Sequence, residues 1–154
     1  TNEVFLDTDC AYLEEVYDKV DGSSHIALKE SILVTKDGKN GFGIQMYKTE
    51  NSKAIILSMK TVGASSCIDE GDKINILFRD GSRLELYNIS DFDCDNTSTV
   101  YFGGGWGLRK QLDELTSKNI EVMRVWTHDG YVEEEFSQEN SQQFLRALRC
   151  LSSM

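Results

Sequence analysis

KINILFRDGSRLELY, residues 73–87, places an alternating apolar segment on each side of Asp80-Gly81. Asp-Gly between two such segments is the strongest short-range signal for a β-hairpin, because a type I′ turn needs two residues that tolerate positive φ. With Asp80 and Gly81 as a two-residue loop, the numbers of facing residues add up to 161. The stretch therefore predicts an antiparallel hairpin near the centre of the chain.

The cysteines form two predicted pairs around this hairpin. Cys67 and Cys94 also add up to 161, so a continuous ladder would place them opposite each other, within disulfide distance. A one-residue bulge would spoil that register and leave two reduced thiols at frayed ends. Cys150 lies off the apolar stripe of the last predicted helix and Cys10 is the cysteine left over, so a Cys10–Cys150 bridge is predicted as well.

Apolar periodicity predicts the remaining elements. Leu13, Val16, Tyr17 and Val20 share one helical face, which predicts a first helix over residues 10–20. The other expected elements are a hairpin of 32–34 with 42–47, strands at 54–59 and 98–102, a helix at 108–115, a hairpin of 120–126 with 131–136 around Asp129-Gly130, and a last helix capped near Asn140 or Ser141. The predicted fold class is α+β, a single domain over 1–154. It has an antiparallel β-sheet of hairpins, N-terminal and C-terminal helices, and one helix between the last two hairpins.

Composition bounds the class of protein. The 154 residues include 26 acidic and 16 basic side chains, a net charge of −10, which disfavours binding to nucleic acid or anionic lipid. This charge is compatible with a cationic protein partner or simply with good solubility. No apolar run reaches the roughly 18 residues of a membrane helix. The even cysteine count fits export to the periplasm, the outer membrane surface or the medium, which is favoured over the alternative, a cytosolic chain with buried thiols. The start at Thr1 is interpreted as loss of a preceding segment, to a signal peptidase or by engineering, and is compatible with a lipid anchor.

Several segments of the second half resemble one group of proteins. Gly71-Asp72-Lys73-Ile74, Phe92-Asp93-Cys94, Asp129-Gly130-Tyr131 and the ending Cys150-Leu151 are similar to those of small uncharacterised secreted or lipoprotein-type proteins of Bacteroidota. The resemblance covers about residues 65–151. It implies export and a β-rich domain closed by a helix, and it implies no catalytic residues.

Catalytic and metal-binding signatures are absent from the sequence. The two histidines, His25 and His128, stand in no nucleophile or zinc motif, so no catalytic residue and no cofactor is predicted. Asp91, Asp93 and Asp95 alternate and could attract calcium on a strand. An EF-hand loop would need glycine and glutamate where this chain has Asn96 and Phe102, so a solvated acidic loop is favoured and no metal site is predicted.

The candidate binding residues surround the glycine-rich segment 103–107. Tyr101 and Phe102 precede it, Trp106 lies within it and Arg109 follows, an arrangement that suits a binding surface for protein or glycan. The alternative is a tryptophan folded back over the core. Farther along, Glu133-Glu134-Glu135 reads as an edge strand protected by charge.

Two classes of function follow from these observations. The first is a non-catalytic exported protein-interaction domain, in its sharpest form an immunity or inhibitor protein that neutralises a cationic protein. The alternative is an exported domain that binds a small ligand, such as a glycan, at the Tyr101–Arg109 loop, or that is weakly enzymatic.

Overall fold

A computed structural model describes residues 10–49, 54–63, 67–103 and 106–154. It confirms the α+β class, with antiparallel strands predominating. The elements, in chain order, are a 3-10 turn at Cys10–Tyr12, β1 Leu13–Tyr17, β2 Ser24–Leu28, β3 Ile32–Thr35, β4 Gly41–Thr49, β5 Ile55–Val62, β6 Lys73–Phe78, β7 Arg83–Tyr87, β8 Thr97–Phe102, α1 Trp106–Leu115, β9 Ile120–Thr127, β10 Gly130–Glu135 and α2 Gln138–Ser152.

The strands form two antiparallel sheets. The first has the order β1-β2-β4-β5-β8, with β3 also paired to β4, and the second has the order β10-β9-β6-β7. The central pair of the second sheet, β6 with β9, joins two hairpins that lie far apart in the sequence. Each of those hairpins would be marginal alone, and their pairing gives a four-stranded sheet with a buried face.

One hydrophobic core is shared by both sheets and α2. Alternate residues of β4, β5, β6 and β9 point inward, and the apolar stripe of α2 packs on the same core. The largest fully buried side chains include Phe42, Phe78, Phe102 and Phe144. The inner face of the β10-β9-β6-β7 sheet packs on this core, and the outer face of the same sheet is exposed to solvent.

The hairpin of residues 73–87 is confirmed, but its predicted register is wrong. Pairs such as Lys73 with Tyr87 add up to 160, because the loop has three residues rather than two. The Phe78 N–H donates to Ser82 O at 2.9 Å, and Gly81 takes a φ of 89° at the third loop position. A glycine in the left-handed region at that position is the usual way to close a three-residue hairpin loop.

Both predicted disulfides are confirmed, Cys67–Cys94 and Cys10–Cys150. The first does not rest on a continuous ladder. The hairpin register, in which facing residue numbers add up to 160, ends at the pair of Lys73 with Tyr87. Beyond it, four residues (69–72) lie on one side of the hairpin and five (88–92) on the other. The extra residue shifts the next pair, Ile68 with Asp93, back to a sum of 161, the same as Cys67 with Cys94. Two disulfides are typical of proteins exported to an oxidising compartment.

The predicted α-helix over residues 10–20 is wrong. A 3-10 turn leads there into strand β1, which pairs with β2 from Leu13–Leu28 to Tyr17–Ser24. Leu13 is buried, but Tyr17 and Val20 are exposed, so the expected helical stripe has no core to cover. Tertiary pairing has overridden a short helical pattern here. The last helix begins earlier than expected, at Gln138, where Ser137 caps it by accepting the Asn140 N–H.

The loop between β3 and β4 is organised by one carboxylate, which yields a prediction about pH. Asp37 accepts the backbone N–H groups of Lys39 and Asn40, both at 2.8 Å, and these bonds lower its pKa from the usual 3.8 to about 2. A carboxyl group whose pKa is lower in the folded protein than in the unfolded chain stabilises the folded state at pH values above the unfolded-state pKa. This stabilisation is lost as the pH falls through the folded-state pKa. We expect the Asp37 carboxyl to titrate near pH 2 by NMR, and stability to fall between pH 3.8 and about 2.

Asp37→Asn is the matched control for this prediction. It should remove that part of the acid dependence while the loop glycines keep the turn. A titration of the Asp37 carboxyl near pH 4 in the folded protein would contradict the prediction.

Candidate functional site

The structure places two of the sequence-predicted binding residues, Tyr101 and Phe102, on opposite sides of β8. Tyr101 lies on the outer side of β8 and is 41% exposed, whereas Phe102 points the other way and is 1% exposed in the core. Phe102 is therefore not available to a ligand. Arg109 is exposed on α1. The side chain of Trp106 lies outside the described residues.

The histidines do not form a catalytic set in the described part of the chain. His25 packs edge-on against Tyr47 on the outer face of the six-stranded sheet, and His128 packs edge-on against Phe92 at 5.2 Å. All four cysteines are in disulfides. Among the described residues no group of three or more His, Cys, Asp or Glu side chains is placed to hold a metal ion.

The carboxylates considered for calcium are used locally. The Asp93 carboxylate accepts the Cys94 N–H, and the Asp95 carboxylate accepts the Thr97 N–H. Asp91 is exposed beside them. This segment is a loop rather than a regular strand, so the alternation that suggested convergence does not apply to it.

The outer side of the β10-β9-β6-β7 sheet carries a connected set of aromatic, charged and amide side chains, and we call it the open face. Strand registers place its side chains in three rows across the four strands. The aromatic row is Tyr131, Trp126, Lys73 and Tyr87; the middle row is Glu133, Arg124, Asn75 and Glu85; the apolar row is Glu135, Val122, Leu77 and Arg83.

Arg124 organises one half of the open face. Its guanidinium donates to Glu133 Oε1 from both Nε and Nη2 at 2.7 Å, and it lies 4.3 Å from the centre of the Tyr131 ring and 5.7 Å from that of Trp126. Trp126 and Tyr131 meet edge to face at 5.0 Å. Cation–π and ion-pair contacts together hold these four side chains in one arrangement.

A chain of hydrogen bonds fixes the other half. Trp126 Nε1 donates to Asn75 Oδ1 at 2.6 Å, and Asn75 Nδ2 donates to Glu85 Oε1 at 3.3 Å. The Tyr87 hydroxyl donates to the other oxygen of Glu85 at 2.5 Å. This bond is the main reason why the pKa of Glu85 is lowered and that of Tyr87 is raised. Side chains from β9, β6 and β7 are thereby ordered before any ligand arrives.

A shallow cavity of about 650 Å³ lies over the open face. Leu77 and Val122 supply apolar floor, while Arg83, Glu85 and Arg124 supply charged groups around it. This mixture of apolar floor and fixed polar groups is typical of binding sites. A smaller cavity of about 350 Å³ lies near His25 and Tyr47 on the other sheet.

Exposed hydrophobic side chains gather at the aromatic end of the open face. Tyr87, Ile89, Phe92 and Tyr131 are each between 46% and 54% exposed. Phe92 is linked to this end through His128, whose N–H donates to Cys67 O beside the Cys67–Cys94 bridge. The flanking segments 67–72 and 91–95 carry six carboxylates: Asp69, Glu70, Asp72, Asp91, Asp93 and Asp95.

Sequence reasoning missed the open face. Trp126 and Tyr131 face each other in the observed hairpin, but the two-residue Asp129-Gly130 loop expected from the sequence would have placed Trp126 opposite Glu133. The contribution of β6 could not be read from the sequence either, because the pairing of β6 with β9 is not local. The charged edge strand was predicted correctly, since β10 is an edge of its sheet.

No helix in the described part of the chain is both long and apolar enough to cross a membrane. Comparison of the chain with protein-family models, with curated proteins and with solved structures finds no match.

Proposed function

We propose that this protein is a non-catalytic exported domain that binds another protein through the open face. The observation that carries the proposal is the solvent-facing cluster of Trp126, Arg124 and Tyr131. Tryptophan, tyrosine and arginine are the residues most enriched among those that dominate binding energy at protein interfaces. In this protein they lie side by side at the aromatic end of the open face, and Arg124 also lines the shallow cavity.

The order already present in the cluster supports the proposal. Binding costs conformational entropy for each flexible side chain that becomes fixed. Arg124 is held by Glu133, and Trp126 is held by Asn75, so part of that cost is met in the free protein. A surface arranged in this way can bind without large rearrangement.

Charge supports a basic partner. The chain carries a net charge of −10, and acidic segments flank the aromatic end of the open face. Complementary charge speeds association and selects against acidic partners. In its sharpest form the proposal makes this protein an inhibitor or immunity protein of a cationic protein, acting in the periplasm, at the outer membrane surface or in the medium.

The test is capture with matched variants. Oxidised protein serves as bait in extracts and medium, and each captured protein is then measured against Tyr131→Ala and Tyr17→Ala. Both tyrosines are exposed, but Tyr17 lies on β1 of the other sheet, at 62% exposure against 51% for Tyr131. We expect a basic partner that salt releases, and about 30-fold weaker binding for Tyr131→Ala, which corresponds to about 2 kcal/mol.

Tyr17→Ala should change that affinity less than about twofold, because scattered surface residues contribute little. Equal effects of the two variants would overturn the assignment of the open face. A saturable change in tryptophan fluorescence on adding a glycan, unaffected by Tyr131→Ala, would favour the glycan alternative instead.

A further inference from the structure

The edge strand β10 directs half of its backbone groups away from its own sheet. In an antiparallel pair, hydrogen-bonded and non-hydrogen-bonded residues alternate. The Phe136 N–H donates to Glu121 O at 2.8 Å, which fixes the phase of this alternation. The N–H and C=O groups of Val132 and Glu134 therefore point to β9. Those of Tyr131, Glu133 and Glu135 point outward.

These outward groups have no backbone partner among the described residues. The strand contains no proline, because the chain has none, and Tyr131, Glu133 and Glu135 are exposed. Such a row of N–H and C=O groups is a template for one more strand. The C-terminal end of β10 lies near β3 and β4, and there Lys36 forms an ion pair with Glu135 at 3.3 Å. The part of the β10 edge that is accessible to another strand is therefore Tyr131–Glu133.

Charge decides which strand can be added. A second copy of β10 would bring glutamates opposite or beside glutamates, which like-charge repulsion disfavours. A strand that carries lysine or arginine at alternate positions would place a cation beside Glu133, the glutamate of the accessible half. Its first residues would also lie next to Tyr131 and so border the open face.

We propose that β10 accepts an extended segment of the partner that has basic residues at alternate positions, by antiparallel or parallel strand addition at Tyr131–Glu133. This inference rests on the proposed function, because it names how the same partner completes its contact. It adds backbone recognition, which side chains of the open face do not supply.

Amide hydrogen exchange measured by NMR tests the proposal. The probe is a capped peptide of alternating threonine and lysine at millimolar concentration, with a threonine–glutamate peptide as control. We expect exchange of the Tyr131 and Glu133 amides to slow saturably by about tenfold or more with the lysine peptide only. The amides of Val132 and Glu134 are the internal control, since β9 already protects them.

Two proline variants give a second readout. Glu133→Pro removes an outward N–H on β10, and Glu15→Pro removes one on β1, an edge of the six-stranded sheet, where the Asp18 N–H donating to Ser23 O fixes the equivalent phase. Proline is tolerated where the N–H of an edge strand faces solvent. Glu133→Pro should abolish the protection of the Tyr131 amide by the peptide, and Glu15→Pro, which also removes a glutamate, should leave it unchanged.

The outcomes separate this inference from the proposed function. Unchanged exchange at Tyr131 and Glu133, or protection at Arg83 and Glu85 instead, would overturn strand addition at β10 even if Tyr131→Ala weakens partner binding. Protected amides together with a partner indifferent to Tyr131→Ala would leave strand addition standing and remove the open face.

Discussion

Alanine at both Cys10 and Cys150 is expected to lower the free energy of unfolding by about 4–5 kcal/mol. The bridge joins residues 140 positions apart and so restricts the unfolded chain strongly. In the chain-entropy model the effect grows with the logarithm of the closed loop. Cys150 is also 1% exposed, so its removal reduces packing in the core. Urea denaturation of the oxidised protein, followed by tryptophan fluorescence, measures the change.

The matched control is alanine at both Cys67 and Cys94. That bridge closes a loop of only 27 positions, and its predicted effect is about 3–4 kcal/mol in the same model. The first double variant should therefore be the less stable of the two. The opposite order would show that strain or residual structure, rather than loop entropy, sets the contribution of these bridges.

Asn88→Ala is expected to cost about 3–4 kcal/mol, because Asn88 joins the two sheets as a buried, fully bonded side chain. It is 2% exposed; its Nδ2 donates to Asp69 O at 2.9 Å, and its Oδ1 accepts the Thr99 N–H of β8 at 2.8 Å. Alanine would leave both backbone groups without these partners, and each buried unpaired group costs about 1–3 kcal/mol. The same denaturation experiment measures the loss.

Asn140→Ala is the control for this second prediction. The Asn140 side chain also donates to a backbone carbonyl, that of Leu33 at 3.3 Å, but near the surface, where water can replace it. Its loss should cost less than about 1 kcal/mol. Asn88→Asp should be nearly as damaging as Asn88→Ala, since the carboxylate keeps the acceptor but turns the donor into an oxygen facing Asp69 O. A stable Asn88→Ala protein would mean that water satisfies these groups.

Local turn chemistry made the hairpins predictable. Asp80-Gly81 and Asp129-Gly130 each mark a chain reversal, because glycine at positive φ is rarely replaceable there. The exact loop is less determined, since two-residue and three-residue loops can use the same Asp-Gly pair. At residues 128–130 the loop is His128-Asp129 and Gly130 already belongs to β10. Strand existence was therefore easier to predict than register.

The failures have separate physical origins, and the first is the side-chain period of a strand. Tyr101 and Phe102 are neighbours in sequence, but successive strand residues point to opposite faces, so they could not share one binding surface. The second is tertiary pairing. A helix and a strand both fit the apolar spacing of Leu13, Val16, Tyr17 and Val20, and only the pairing of β1 with β2 selects the strand. The open face needs β6 beside β9, a contact that no local pattern encodes.

The span of the Cys10–Cys150 bridge has a consequence for biogenesis. As a chain emerges vectorially from a ribosome or a translocation pore, Cys10 meets Cys67 and Cys94 well before Cys150 is available. Premature pairing with either would trap the wrong isomer, and thiol–disulfide exchange would have to correct it. Early closure of the 67–94 loop removes both competing thiols. Closing the 67–94 bridge first therefore leaves Cys10 and Cys150 as the last two thiols, which can pair only with each other within one chain.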